Sequence, residues 1–215
     1  FRIQFGRRTA TGDLEGETVE ECALPSLDEA RIAGVLRGFL GEQQQVPPMY
    51  SAIKRAGQPL YKLARAGLTV ERAARRIHIH SLEALEWGNE WLDCRVRCGK
   101  GTYVRVLAED IAAALGSCGH VARLRRESVE PFAAGDMITL EELGRRVDAG
   151  QDPGLIPAER AIGHLPAVEL DAEAARRLGL GQTVPAGLPV RMPGAVHGRF
   201  TGSPVPCRLP SEHAP

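Results

Sequence analysis

The stretch from Leu92 to Leu115 constrains the fold most. Leu92, Cys94, Val96 and Cys98 alternate with Asp93, Arg95 and Arg97, the period of a strand with one face buried and the other wet. Gly99-Lys100-Gly101 breaks that run, and Leu107, Ile111, Ala114 and Leu115 then repeat at helical spacing as far as Gly116. A half-buried strand feeding an amphipathic helix through a short turn implies a helix packed on a sheet. Within the turn, Tyr103 and Arg105 stand two residues apart. In extended backbone their side chains share one face. A flat ring beside a fixed positive charge suits a planar base with phosphates attached. A plain strand-to-helix turn with a surface Tyr and Arg fits the same residues.

The rest of the chain reads as a mixture. Ser26 followed by Glu29 forms a capping box, and Ile32, Val35, Leu36, Phe39 and Leu40 predict a helix near 27–40. A loop with Pro47-Pro48 leads to a short helix near 58–66, stopped by Gly67. Ile77 and Ile79 alternate with His78 and His80 as a strand, and residues 121–129 alternate with Ala122 and Leu124 opposite Arg123 and Arg125. Thr139 with Glu142 caps a helix through Leu140, Leu143 and Val147, and Gly150 to Pro157 reads as a linker. Strands and helices mix without regular βαβ repetition, so the expected class is α+β, a sheet with helices packed on it. The 215 residues suit one substantial domain and a small one.

Formal net charge is zero, so the whole molecule is no polycation. Its distribution is uneven. Residues 43–82 carry Lys54, Arg55, Lys62, Arg65, Arg72, Arg75 and Arg76 against Glu71 alone, and 97–126 add Arg97, Lys100, Arg105, Arg123, Arg125 and Arg126 against Glu109 and Asp110. Such asymmetry lets a neutral protein present one basic face. The five cysteines include no C-x-x-C pair, and Cys94 and Cys98 read as small core hydrophobes rather than zinc ligands. The sequence shows neither a signal peptide nor an apolar run of about 18 residues, which predicts a cytoplasmic protein without a membrane anchor. Nor does it hold a phosphate-binding P-loop, a dinucleotide fingerprint, H-E-x-x-H or G-x-S-x-G. His78 and His80 share a strand face but lack an obvious third ligand. No metal or cofactor is expected.

Gln45-Val46-Pro47-Pro48-Met49-Tyr50-Ser51-Ala52-Ile53-Lys54, with Gly57, Leu60-Tyr61, Leu63-Ala64-Arg65 and Gly67 behind it, resembles the insert of the bacterial tRNA pseudouridine synthase B family. Cys98–Arg105 resembles that family's C-S-K-G-T-Y-I-R motif, with Gly99 in place of the serine. Ala108-Glu109-Asp110, His120–Arg126 and the opening Phe5-Gly6 to Thr9, Asp13 and Glu15-Gly16-Glu17 fit the flanking blocks, so the resemblance spans residues 1–147. It implies an enzyme that isomerises the uridine at tRNA position 55 in the T-loop, without cofactor or metal, on a mainly antiparallel pseudouridine-synthase sheet flanked by helices. The implied domains are a catalytic domain over 1–150, a linker over 151–163 and a partial β-rich PUA-like RNA-binding domain over 164–215, with Gly198-Arg199-Phe200 as a later strand and Thr201 to Pro215 as a tail.

The resemblance assigns Tyr103 to the flipped base, Arg105 to the catalytic aspartate and Leu124 to an apolar wall beside the base. Tyr50, Lys54, Tyr61, Arg65, Lys100, Arg125 and Arg126 become RNA-binding candidates, the basic ones for phosphates. The implied partner is the tRNA T-arm stem-loop, met by a monomer. The family's nucleophilic aspartate lies in a G-x-L-D-x-x-A-x-G segment that nothing here matches; Asp13, Asp110 and Asp136 sit in other contexts. By motif order that segment is expected upstream of Phe1, leaving Arg105 without its carboxylate and the chain inactive alone. A non-catalytic RNA-binding or tRNA-folding module, and a relative of the guide-RNA-dependent synthases, are the alternatives.

Overall fold

The first strand, β1 (Arg2–Phe5), lies inside a sheet whose other members come later in the chain. After it come β2 (Arg7–Thr9), β3 (Thr18–Glu21), α1 (Glu29–Gly38), β4 (Gly41–Gln45), β5 (Lys54–Arg55), β6 (Gln58–Pro59), α2 (Leu60–Arg65), β7 (Arg75–Trp87), β8 (Trp91–Cys98), α3 (Val104–Ala114) and β9 (Gly119–Arg123). The order across the sheet is β4-β7-β8-β1-β9, and every pair is antiparallel. β2 pairs with β3, and β5 with β6, as small separate ribbons. The computed structural model describes residues 1–165, 167–184, 196–199 and 205–207, in two compact units, Phe1–Arg125 and Arg126–Pro215.

Period-2 alternation in the strands and 3.6-residue spacing in the helices aim their apolar residues at one layer. Ile3 and Phe5 of β1, Ile77, Ile79 and Leu82 of β7, and Leu92 and Cys94 of β8 bury together with Ile32 and Leu36 of α1 and Leu107, Ala108, Ile111 and Ala112 of α3. Burial pushes the Cys94 thiol up to about 12, as suits a packing residue. Gly119 sits where β9 passes α3; a Cβ there falls 2.9 Å from the Ala112 Cβ.

Three expectations need correction. Asp28, not Ser26, caps α1, its side chain accepting from the Arg31 N–H, because the helix starts two residues later than the predicted boundary. The alternation over 121–129 does not continue as a strand: β9 ends at Arg123, where its pairing with β1 reaches Arg2, the first residue of that strand. Tyr103 is extended, but Arg105 already lies in the first turn of α3, so the pair does not share a strand face. One link was not anticipated at all: Cys22, just after β3, is disulfide-bonded to Cys118, just before β9.

The second unit contains α4 (Leu140–Asp148), α5 (Glu159–Ile162), β10 (Ala167–Glu169), α6 (Ala172–Gly179), β11 (Val196–Arg199) and β12 (Val205–Cys207). β11 pairs parallel with β10 and antiparallel with β12. Thr139 caps α4 as its sequence suggests, accepting from the Glu142 N–H at 3.1 Å. Arg145 and Arg146 both donate to Glu142 and hold its carboxyl at about 2. Phe200, and the tail apart from residues 205–207, lie outside the described residues.

Candidate active site

The site grows from the turn between β8 and α3. Gly101 takes φ +85°, a left-handed conformation that favours glycine. It lets the chain reverse before Tyr103, which is the extended residue capping α3 (φ −96°, ψ 106°). No side chain of its own neighbourhood caps that helix. Gln45 does the work from β4: its Oε1 accepts from the Tyr103 N–H at 2.8 Å, and its Nε2 donates to the Tyr103 carbonyl at 3.1 Å.

Arg105 is held from two sides. Nη1 donates to the Asp13 Oδ2 at 3.0 Å and to the Thr11 carbonyl at 2.9 Å, while Nη2 donates to the Tyr50 carbonyl at 2.7 Å. Asp13 is aimed in turn. The Thr11 hydroxyl donates to its Oδ1 at 2.5 Å, and the buried Thr9 hydroxyl donates to its carbonyl at 2.7 Å. Arg105 thus has a carboxylate partner within the chain, Asp13, from 92 positions away, outside any G-x-L-D-x-x-A-x-G segment. The pair is only partly shielded, with side chains 25% and 37% exposed, so its guanidinium remains reachable from solvent.

The turn carrying Asp13 lies directly on α3. Gly12 (φ +74°) leaves no space for a side chain; a Cβ there falls 2.8 Å from the Glu109 Oε1 and 3.3 Å from the Arg105 Cβ. Glu109 stands one helical turn after Arg105. Burial raises its carboxyl above the usual range, against the opposing pull of Arg8 and Arg105.

The other candidates distribute around this centre. The insert leaves β4 after Gln45 and returns at Arg75, its register partner. Tyr50 reaches Arg105 through its backbone carbonyl. Exposed Lys54 lines a cleft of about 150 Å³ with Arg55, Arg72 and Arg75. Tyr61 of α2 has the Arg65 guanidinium 5.5 Å from its ring centre, within the range of a cation–π contact. Lys100, Arg125 and Arg126 are exposed. Leu124 is 57% exposed rather than packed in the core. The His78 and His80 rings lie 4.6 Å apart, tilted by 46°, and among the described residues no group of three potential ligands could hold a metal. Also among them, no helix is long and apolar enough to cross a membrane. Sequence reasoning missed Thr11 and the roles of Gln45 and Asp13.

Residues 1–104 match the TruB family pseudouridylate synthase N-terminal domain, and residues 105–162 match the tRNA pseudouridylate synthase B C-terminal domain. The chain belongs to the TruB family. Proteins named tRNA pseudouridine synthase B are similar to it. That of Chromohalobacter salexigens is 46% identical over 84% of this chain and 59% of its own length. The Nitrosococcus oceani protein is 47% identical over 84% of this chain and 60% of its own. The Dechloromonas aromatica protein is 40% identical over 93% and 67%. The chain thus spans about 60% of the length of these TruB relatives. Among solved structures, one of a Cbf5–Nop10–Gar1 complex superposes with a TM-score of 0.62 at 24% identity, covering 92% of this chain and 55% of that one. A second, of an H/ACA ribonucleoprotein bound to a substrate RNA containing 2′-deoxyuridine, gives 0.58 at 21% identity, covering 92% and 54%. These two show a shared α+β fold.

Proposed function

We infer that the chain is part of a tRNA pseudouridine synthase that isomerises the T-loop uridine at position 55, acting as a cytoplasmic monomer on the T-arm stem-loop. The observation that carries this reading is the fixed Arg105 guanidinium, tied to Asp13, Thr11 and Tyr50 two residues after the Tyr103 cap. In the reaction the N1–C1′ bond of uridine breaks, the uracil turns, a C5–C1′ bond forms, the C5 proton leaves and N1 takes up a proton, so the product is an isomer of the substrate. The target base must first leave its stack.

Each residue has a matching task. Tyr103 meets the flipped base and assists loss of the C5 proton. A fixed guanidinium aims a neighbouring carboxylate through directed hydrogen bonds, which a lysine's point charge does less well. Leu124, an exposed apolar side chain, becomes an apolar wall that excludes water from the ring. Lys54, Arg65, Lys100, Arg125 and Arg126 take phosphates, with Tyr50 and Tyr61 in the insert beside the RNA. Each phosphate contact steepens the salt dependence of binding.

Release of tritium from T-arm RNA labelled at uridine C5 tests the reading. The full-length gene product is expected to release it, and Tyr103→Phe and Arg105→Ala to lose rate far more than affinity. Tight RNA binding without release identifies a binding module instead, and overturns the catalytic reading.

A further inference from the structure

The structure puts one more residue against the proposed catalytic pair. Gln45 is the last residue of β4, 4% exposed, and its primary amide forms a closed two-bond ring with the backbone N–H and carbonyl of Tyr103. Both contacts use opposite ends of one amide, so only one orientation of that group satisfies them. The arrangement imitates one rung of a β ladder, supplied by a side chain. It also fixes φ and ψ at the residue whose ring direction matters, because a side chain leaves its Cα in a direction set by the backbone. The Tyr103 carbonyl separately accepts from the Leu107 N–H at 3.0 Å, so the clamp joins the helix start to the sheet edge. Gln45 pairs with Arg75 where the insert begins and ends, and Tyr50, five residues on, holds Arg105.

We propose that Gln45 is a positioning residue for Tyr103, aligning the tyrosine with the base and linking it to the base of the insert. The proposal rests on the catalytic reading of Tyr103 given above. It acts through the Tyr103 backbone and requires no contact between Gln45 and the RNA.

Gln45→Glu is the decisive substitution, because its protonation state switches the clamp. The neutral carboxylic acid accepts from the Tyr103 N–H and donates to the Tyr103 carbonyl, as the amide does. The carboxylate keeps only the acceptor and sets negative charge against a carbonyl. In the full-length gene product at pH 8, Gln45→Glu is expected to lower kcat in tritium release about 10- to 100-fold, the scale of a misplaced reacting group, while Kd for T-arm RNA stays within about threefold. Relative to wild type, its kcat is expected to recover as pH falls towards 5.5. Gln45→Met, which can form neither bond, is expected to lose rate at every pH.

Wild-type kcat in both variants, or loss confined to Kd, overturns the proposal. Amide exchange at Tyr103 provides a readout independent of turnover and of any variant's folding. The wild-type amide is expected to be protected beyond its turn neighbours Lys100 and Gly101, and exchange at their rate overturns the clamp. If wild type itself releases no tritium, the catalytic reading falls, and exchange at Tyr103 alone decides whether Gln45 holds that backbone.

Discussion

Replacing Gly12 by alanine tests whether the Asp13 turn is seated on α3 as tightly as its geometry requires. Two costs add. Gly12 has φ +74°, where a Cβ meets the backbone, and a non-glycine residue there costs about 1–2 kcal/mol. The new methyl also falls 2.8 Å from the Glu109 Oε1 and 3.3 Å from the Arg105 Cβ. The carboxylate can swing away, but the Arg105 Cβ belongs to a packed helix, so the turn must lift; overpacking of this kind costs about 1–3 kcal/mol. Gly57 supplies the control. It has φ +81° with nothing within 4 Å of where a methyl would stand, so Gly57→Ala bears the backbone cost alone. The two melting temperatures are therefore expected to differ by several degrees, at about 2–4 °C per kcal/mol for a chain of this size. Lifting the turn also draws Asp13 and the Thr11 carbonyl from Arg105, so Gly12→Ala is expected to lose turnover about tenfold or more, and Gly57→Ala is not. Equal melting temperatures and equal rates in the two variants would refute the seating of the turn on the helix.

Three further outcomes follow from other contacts. Arg105→Lys keeps the charge but cannot span Asp13, Thr11 and Tyr50 together, so tritium release is expected to fall at least ~100-fold with RNA affinity little changed; near-wild-type rate counts against the fork geometry. Glu109 has a folded pKa raised chiefly by burial, so its penalty is absent below the unfolded value near 4.5 and grows as pH rises through the folded value. Glu109→Gln is therefore expected to raise the urea midpoint at pH 7 and leave it unchanged at pH 3.5, and the same shift at both pH values contradicts that cause. The Cys22–Cys118 bond closes a loop across 96 positions, for which chain entropy allows up to about 4.7 kcal/mol; Cys22→Ser or a strong reductant is expected to lower the urea midpoint, and identical midpoints show that the link adds nothing.

The fold was legible wherever one face of an element repeats. β8 and α3 follow the alternation of Leu92–Cys98 and the spacing of Leu107, Ile111 and Leu115 because burial acts on each residue through its own side-chain direction. α1 was found for the same reason, but its start was not. Ser26 and Asp28 are both good caps, and only the actual register of the first turn chooses between them. The alternation beyond Arg123 misled because strand periodicity needs a partner for its backbone, and β1 offers none past Arg2. The disulfide was invisible for a related reason: connectivity depends on Cα positions that no spacing reveals.

The site divides along the same line. Tyr103 and Arg105 could be found from one short motif, because their separation is local and their chemistry distinctive. Asp13 and Gln45 could not, since each reaches its partner across 92 or 58 positions, and neither residue type is unusual where it stands. Their placement nevertheless changes what the motif means. An arginine that looked unpartnered is locked by a threonine-aimed carboxylate, and a tyrosine that opens a helix without a local cap is capped from the sheet edge. Both residues also share a support in Gln45–Tyr50, one continuous segment that contributes a side chain to Tyr103 and a carbonyl to Arg105. A displacement of that segment must therefore disturb both residues together, whereas a change at Asp13 loosens Arg105 and leaves the Tyr103 clamp intact. Variants at Asp13 and Gln45 should consequently combine non-additively only to the extent that the segment moves as one body, and a double-mutant cycle on kcat measures that coupling directly.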